Sequence, residues 1–226
     1  MKKTRRLLAL LLAMVMMLAL TVTAGAEEVT TTAAKSEITV IYTNDVHTYI
    51  DKTLSYATVS AMKQDYQKAG KQVLLVDAGD HIQGTAYGGM DEGKTIVQLM
   101  NAAGYDIATL GNHEFDYGMA RTLATVKEAK FPYVSCNFYH EKNGVAGDSV
   151  LDSYKVFDMN GTKVAFIGIT TPESFTKSTP TYFQDANGKY IYGIAAGKDG
   201  AALYASVQKA IDAASKEADY VIALGH

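Results

Sequence analysis

The sequence predicts an α/β fold, a mostly parallel sheet covered by helices, on three observations. Short β-rich runs alternate with longer amphipathic ones, the rhythm of right-handed strand–helix–strand crossovers. An Asn-Gly pair between two apolar runs marks an antiparallel hairpin late in the chain. Acids, an amide and histidines gather just past the ends of the predicted strands, where an open α/β sheet binds its ligands.

The first residues stand outside that fold. Lys2, Lys3, Arg5 and Arg6 precede an unbroken apolar run over 7–20, which ends in "TVTAGAEE". This order is that of a secretory signal peptide occupying residues 1–26, with Ala24 and Ala26 at the A-x-A positions and cleavage expected after Ala26. A spanning helix needs about 20 apolar residues, so the run is short for one, and no membrane span is expected after cleavage. "TRRLLAL" is similar to a twin-arginine signal, but the leucine-rich stretch fits the general secretory route better. The protein is therefore expected outside the cell or in the cell envelope. Residues 27–36, rich in Thr and Ala without apolar periodicity, read as a flexible leader, and the folded domain is expected over 37–226.

Of all residues 48% are hydrophobic and 20% charged, which is ordinary globular composition with material for a core. Removing residues 1–26 takes away four basic residues and no acidic one, moving the formal charge from −3 to −7. Nucleic acid polymers and anionic membranes are excluded as natural partners. Cys136 is the only cysteine and lies in apolar "FPYVSCNF". It is expected to be a buried, inert thiol, so any metal must be held by oxygen and imidazole.

β-rich runs over 38–43 ("ITVIYT"), 72–76, 107–110 and 133–136 alternate with amphipathic runs over 54–69, 94–103 and 119–129. Runs over 154–158 and 163–169 then flank "MNGT", so an antiparallel pair is expected to join the sheet. A Tyr-, Thr- and Gly-rich loop over 171–198 leads to a helix over 201–216 and a last strand, "YVIALGH".

"ITVIYTNDVH" places Asp45 and His47 past the first strand, and "VLLVDAGDH" places Asp77, Asp80 and His81 past the second. "IATLGNHEFD" places Asn112, His113, Glu114 and Asp116 past the third, and "YVIALGH" places His226 past the last. Asp-x-His alone is more often turn or cap chemistry, and Asp77 reads as a residue that holds its turn. "GNHE" carries more weight, because a specified four-residue string arises by chance about once in a thousand chains of this size. Oxygen and imidazole donors without thiolates suit Mn, Zn, Fe or Co. An aspartate between two imidazole-bearing loops is the piece that bridges two ions. Two such ions polarise a phosphoryl oxygen and supply hydroxide near neutral pH for in-line attack.

Taken in order, D-x-H, G-D, G-N-H-E and G-H at strand ends resemble the calcineurin-like metallophosphoesterase superfamily. The fuller strings "YTNDVH", "VDAGDHIQGT" and "TLGNHEFDYG" resemble its secreted 5′-nucleotidase branch, which includes 2′,3′-cyclic-nucleotide phosphodiesterases. That resemblance implies a β-sandwich with helices outside, two divalent metal ions and a small-molecule nucleotide substrate; it does not give an oligomeric state. It implies that Asp45 and His47 ligate the first metal, that Asp80 bridges both, and that Asn112 and His226 ligate the second. His113 is implied as the catalytic histidine that steadies the phosphoryl oxygens, with Asn112 beside it at the substrate, and Asp116 as the carboxylate that orients its ring and favours its protonated form. Glu114 keeps no assigned role, since a solvated or turn-stabilising carboxylate accounts for it. His81 reads as a loop residue, and neither it nor His140 falls at a ligand position. Gly111 is expected to let the backbone turn tightly at the sheet edge.

The family commonly has a glycine soon after D-x-H, where this chain has "HTYID". It also has a later Gly-His motif and a C-terminal substrate domain beyond the point reached here, so the domain is expected to be C-terminally truncated, to bind metal poorly and to lack later strands. The leading expectation is a secreted dimetal phosphoesterase acting on nucleotides by metal-activated hydroxide. The rivals are another hydrolase of the superfamily, such as a general phosphomonoesterase or a thiosulfohydrolase, and a noncatalytic envelope binding module.

Overall fold

A computed structural model describes residues 37–226; the predicted signal peptide and the predicted leader lie outside the described residues. The first sheet is wholly parallel. β1 (Ile38–Thr43) pairs along its length with β2 (Gln72–Asp77), and β3 (Ile107–Thr109) and β4 (Tyr133–Val134) follow in the order β1-β2-β3-β4. The crossovers are α1 (Tyr56–Lys68), the short α2 (Ala86–Gly89) with α3 (Lys94–Ala103), and α4 (Met119–Glu128). Ser55 opens α1 with a capping box to Thr58, which satisfies backbone donors at the helix start. α3 buries Ile96, Val97, Met100 and Ala103, one helical stripe, and stops where Gly104 turns left-handed at φ 81.

The next elements come as hairpins. β5 (Phe138–Lys142) joins β6 (Val145–Ser149) through Asn143-Gly144, and β7 (Tyr154–Met159) joins β8 (Thr162–Ile169) through Asn160-Gly161. All four turn residues have positive φ, between 53 and 87, the type I′ requirement that Asn-Gly meets at low cost. After the short α5 (Ser174–Lys177) come β9 (Tyr192–Ile194), α6 (Ala201–Ala214) and β10 (Tyr220–Gly225).

The late hairpin does not join the first sheet, as periodicity alone suggests. It forms a second sheet in the order β10-β8-β7, with β10 parallel to β8. The physical reason is that β2 is apolar on both faces. Leu75 packs with Tyr56, Val59, Ile96 and Met100 on the helical side. Leu74 and Val76 pack on the other side with Val164, Phe166, Met159 and Leu224 of the second sheet. A fully buried side chain of this size stabilises by roughly 1.5–3 kcal/mol, so the face-to-face seam holds the sandwich together. α6 covers the outer face of the second sheet through Ala210 and Ala214 against Ala165 and Ile167. The stretch over 171–198 is less loop-like than its composition suggests: β9 leaves it to pair with β5, forming a small antiparallel sheet β6-β5-β9. Among the described residues no helix is long and apolar enough to cross a membrane.

Candidate metal centre

The loops after β1, β2 and β3 meet the end of β10 at one rim. Backbone bonds stitch the first two loops: Asp45 N–H donates to the Gly79 carbonyl at 3.1 Å and His47 N–H to the Asp80 carbonyl at 3.0 Å. The third loop is tied in by His113 N–H, which donates to Asp80 Oδ1 at 2.8 Å. β10 delivers His226, whose Nδ1 lies 3.0 Å from the Ala78 carbonyl and 3.2 Å from Asn44 Oδ1.

Asp80 Oδ2 is the centre of the arrangement. His226 Nε2 stands 3.1 Å from it, and His47 Nε2 and His113 Nε2 each 3.9 Å. Two donor groups share Asp80, one with Asp45 and His226 and one with His47 and His113. Asp45 and His47, set together by resemblance, are also neighbours, with His47 Nε2 3.4 Å from Asp45 Oδ1. Asn112 directly precedes His113, is nearly buried, and its amide makes no hydrogen bond among the described residues. Asp116 Oδ2 lies 2.6 Å from His113 Nδ1, and the His113 ring meets His47 edge-on at 4.9 Å. All seven predicted site residues thus lie on the converging loops. His140 sits on β5 against Tyr192 and belongs to neither donor group.

The donor set fits divalent cations. His47 Nδ1 faces the Gln83 carbonyl at 3.0 Å and His226 Nδ1 the Ala78 carbonyl. With those nitrogens donating, both Nε2 lone pairs point into the cluster, the tautomer a metal ligand needs. Among the described residues the ion pairs of Asp45 and Asp80 are with histidines, and no lysine or arginine neutralises them. Burial alone would raise the Asp80 pKa, but the His226 hydrogen bond and the His113 N–H hold it below the usual carboxylate range. The same bond to Asp80 raises His226.

The backbone is strained where the donors are. Asp45, His47, Thr48 and Asp80 have φ of 53, 46, 60 and 58, a region costing non-glycine residues about 1–3 kcal/mol each. Thr48 is the sharpest case, because it is β-branched and fully buried. It holds the conformation through Thr85, whose N–H donates to Thr48 Oγ1 at 2.7 Å and whose hydroxyl meets Thr48 Oγ1 at 2.7 Å. Gly79 is left-handed at φ 100, but Gly111 does not have positive φ, so a tight turn is not its purpose. A Cβ on Gly111 would stand 2.2 Å from Asp80 Oδ1; the glycine lets the two loops touch.

Under the donors lies a buried polar layer that sequence reasoning missed. His81 lies in the loop after β2, as expected, but is fully buried. Its Nδ1 lies 2.7 Å from Asp77 Oδ1 and its Nε2 2.7 Å from the Tyr133 hydroxyl. Burial would lower its pKa, but Glu114 and Asp77 outweigh burial and bring it to about 9. Asp77 holds its turn as expected, accepting from Gly79 N–H at 2.8 Å, and also accepts from the Thr43 hydroxyl. Glu114, read as solvated or turn-stabilising, is fully buried. A cavity of about 810 Å³ lies elsewhere: it runs along the free edge of β1 beside α1 and touches the site only through Asn44 and Asp45.

Over residues 38–226 the chain matches the calcineurin-like phosphoesterase family. The chain belongs to that family. Within this calcineurin-like phosphoesterase domain, 164 residues are 34% identical to a snake venom 5′-nucleotidase from Gloydius brevicauda, covering 66% of the chain and 28% of that protein. A human 5′-nucleotidase is 35% identical over 161 residues, covering 64% of the chain and 28% of that protein. The crystal structure of a 5′-nucleotidase precursor from Thermus thermophilus superposes with a TM-score of 0.65 at 27% identity, over 83% of the chain and 36% of that structure. The chain spans less than a third of the length of these curated relatives.

Proposed function

We propose that this phosphoesterase domain is the metal-binding part of a secreted enzyme that hydrolyses nucleotide phosphoesters, of 5′-nucleotidase type. The observation that carries the reading is one carboxylate, Asp80, shared by two convergent donor groups, with the His113–Asp116 pair at their edge. The 5′-nucleotidase relatives support the nucleotide as substrate class, and the signal-peptide pattern over 1–26 supports export.

In this reading Asp45, His47, Asp80, Asn112 and His226 would hold two divalent ions, of Zn, Mn, Fe or Co type. When bound, those ions polarise the phosphoryl oxygens and furnish hydroxide at neutral pH. The chain's own residues do the rest. Asp116 fixes Nδ1 of His113, which leaves Nε2 facing the cluster to donate to a phosphoryl oxygen as negative charge grows there. The Asn112 amide, without a hydrogen-bond partner among the described residues, would be available to a metal or a phosphate oxygen.

The test is hydrolysis of AMP, UDP-glucose, 2′,3′-cyclic AMP and p-nitrophenyl phosphate by the protein with added Mn or Zn and with chelator. Metal-dependent release from AMP well above that from p-nitrophenyl phosphate is expected. Equal rates on all four would refute the nucleotide reading, and no metal-dependent release on any would refute the enzyme.

A further inference from the structure

Resting on the dimetal reading above, we propose that Glu114 is a positioning residue: its buried carboxylate clamps the second and third loops together and so fixes where the shared Asp80 stands. Glu114 Oε2 accepts from Asp80 N–H at 2.8 Å and from Gly111 N–H at 2.6 Å, while Oε1 accepts from His81 N–H at 2.9 Å. Three backbone donors from two loops therefore end on one side chain, which is fully buried. Its own backbone is held by the Thr122 hydroxyl, which donates to the Glu114 carbonyl at 2.7 Å.

The clamp acts at the point where displacement matters. The three donors flank the left-handed Asp80, and convergent backbone N–H groups of this kind form a nest for an anion. With Gly111 drawn onto Glu114, its Cα side lies against Asp80 Oδ1 with no room for a Cβ, and His113 N–H closes on the same oxygen. Oδ2 is thereby left toward His47, His113 and His226. Alanine at 114 leaves three buried N–H groups without acceptors, and the loops are then expected to part and admit water. The carboxylate is also braced from beneath: His81 Nδ1 lies 3.5 Å from Oε1, and its ring is anchored by Asp77 and Tyr133. Glutamine is a graded probe, because it retains one oxygen end and presents an NH₂ to the donors at the other.

Residue-resolved amide hydrogen exchange on metal-free wild type, Glu114→Gln and Glu114→Ala tests the clamp without reference to turnover. Exchange at Asp80, His81 and Gly111 is expected to accelerate at least about tenfold in E114A and at one oxygen end in E114Q, with Val76 and Phe166 in the sandwich core unchanged. The second readout is electron paramagnetic resonance after loading with Mn(II). Wild type is expected to give the spectrum of an exchange-coupled pair, and both variants that of uncoupled ions. Unaltered exchange at the three amides together with an unaltered coupled spectrum overturns the proposal. A wild type without a coupled pair refutes the dimetal reading instead, while the exchange data still judge the clamp. If E114A does not fold, E114Q carries both measurements.

Discussion

Replacing Gly111 by alanine measures how closely the second and third loops are keyed. The new Cβ would lie 2.2 Å from Asp80 Oδ1, 2.8 Å from its backbone nitrogen and 2.9 Å from its Cγ, against an ordinary contact of at least 3.4 Å. Relief requires a retreat of about 1 Å, whereas metal–ligand distances tolerate roughly 0.2 Å. Rotating the carboxylate is no escape, because Oδ1 accepts from His113 N–H and Oδ2 faces His226 Nε2 at 3.1 Å. Overpacking of this kind costs about 1–3 kcal/mol. If the loop yields, that energy appears as weaker metal binding, about 5- to 150-fold, since each 1.4 kcal/mol is about tenfold. Calorimetric titration with Mn(II) or Zn(II), alongside melting of the metal-free protein, separates the two routes. Gly111→Ala that binds metal with wild-type affinity and melts at the wild-type temperature would refute the claim that Asp80 is held by this contact.

Three further outcomes are expected. His113→Ala should lower turnover by about 10²- to 10⁴-fold with metal content nearly unchanged, while Asp80→Ala should lose metal; loss of metal in H113A, measured by elemental analysis, would make His113 a ligand, as its place in the second donor group allows. Burial pushes the Cys136 thiol up to about 11, so at pH 8 only about one molecule in a thousand carries thiolate, and labelling by a thiol reagent should be far slower in native than in denatured protein. The raised value also means that this group's contribution to stability is complete below pH 9 and is lost as pH climbs through 11. Lys63, nearly buried, donates to Asp106 Oδ2 at 2.7 Å and to the Gly104 carbonyl at 2.6 Å. Lys63→Met should cost about 1–3 kcal/mol, seen as a fall of about 2–4 °C in Tm per kcal/mol, without changing metal affinity.

What the sequence made legible follows what its side chains reveal alone. β1, β2 and α3 announce themselves because their apolar spacing is set by burial, and the Asn160-Gly161 turn because apolar strands flank it. Asn143-Gly144 carries the same signal, yet it was missed because β6 is exposed along its length and supplies no alternation. That the late hairpin forms its own sheet was not legible from periodicity, since a strand buried on both faces reads alike in either sheet. At the candidate site, donor types and their strand-end positions are readable because metal chemistry restricts which side chains suit a cation. The roles of Glu114 and His81 were not, because both depend on backbone N–H groups or partners that converge only in three dimensions. A weak trace existed in Asp77 and His81, four residues apart behind a buried strand. The grouping of Asp45 with His226 likewise depends on how β10 lies against β1, which no local pattern encodes.

The link between His226 and Asn44 spans 182 positions of chain. Loop closure on that scale is slow and entropically costly, and nothing local rewards it beforehand. The first sheet can assemble around β1 to β4 with Asp45, His47, Asp80 and His113 already near one another. The donor group of Asp45, Asp80 and His226 stays open until β10 docks beside β8. That donor group is therefore expected to be among the last features to mature along the folding route, so a nascent or partly folded chain would present only half of the candidate cation site.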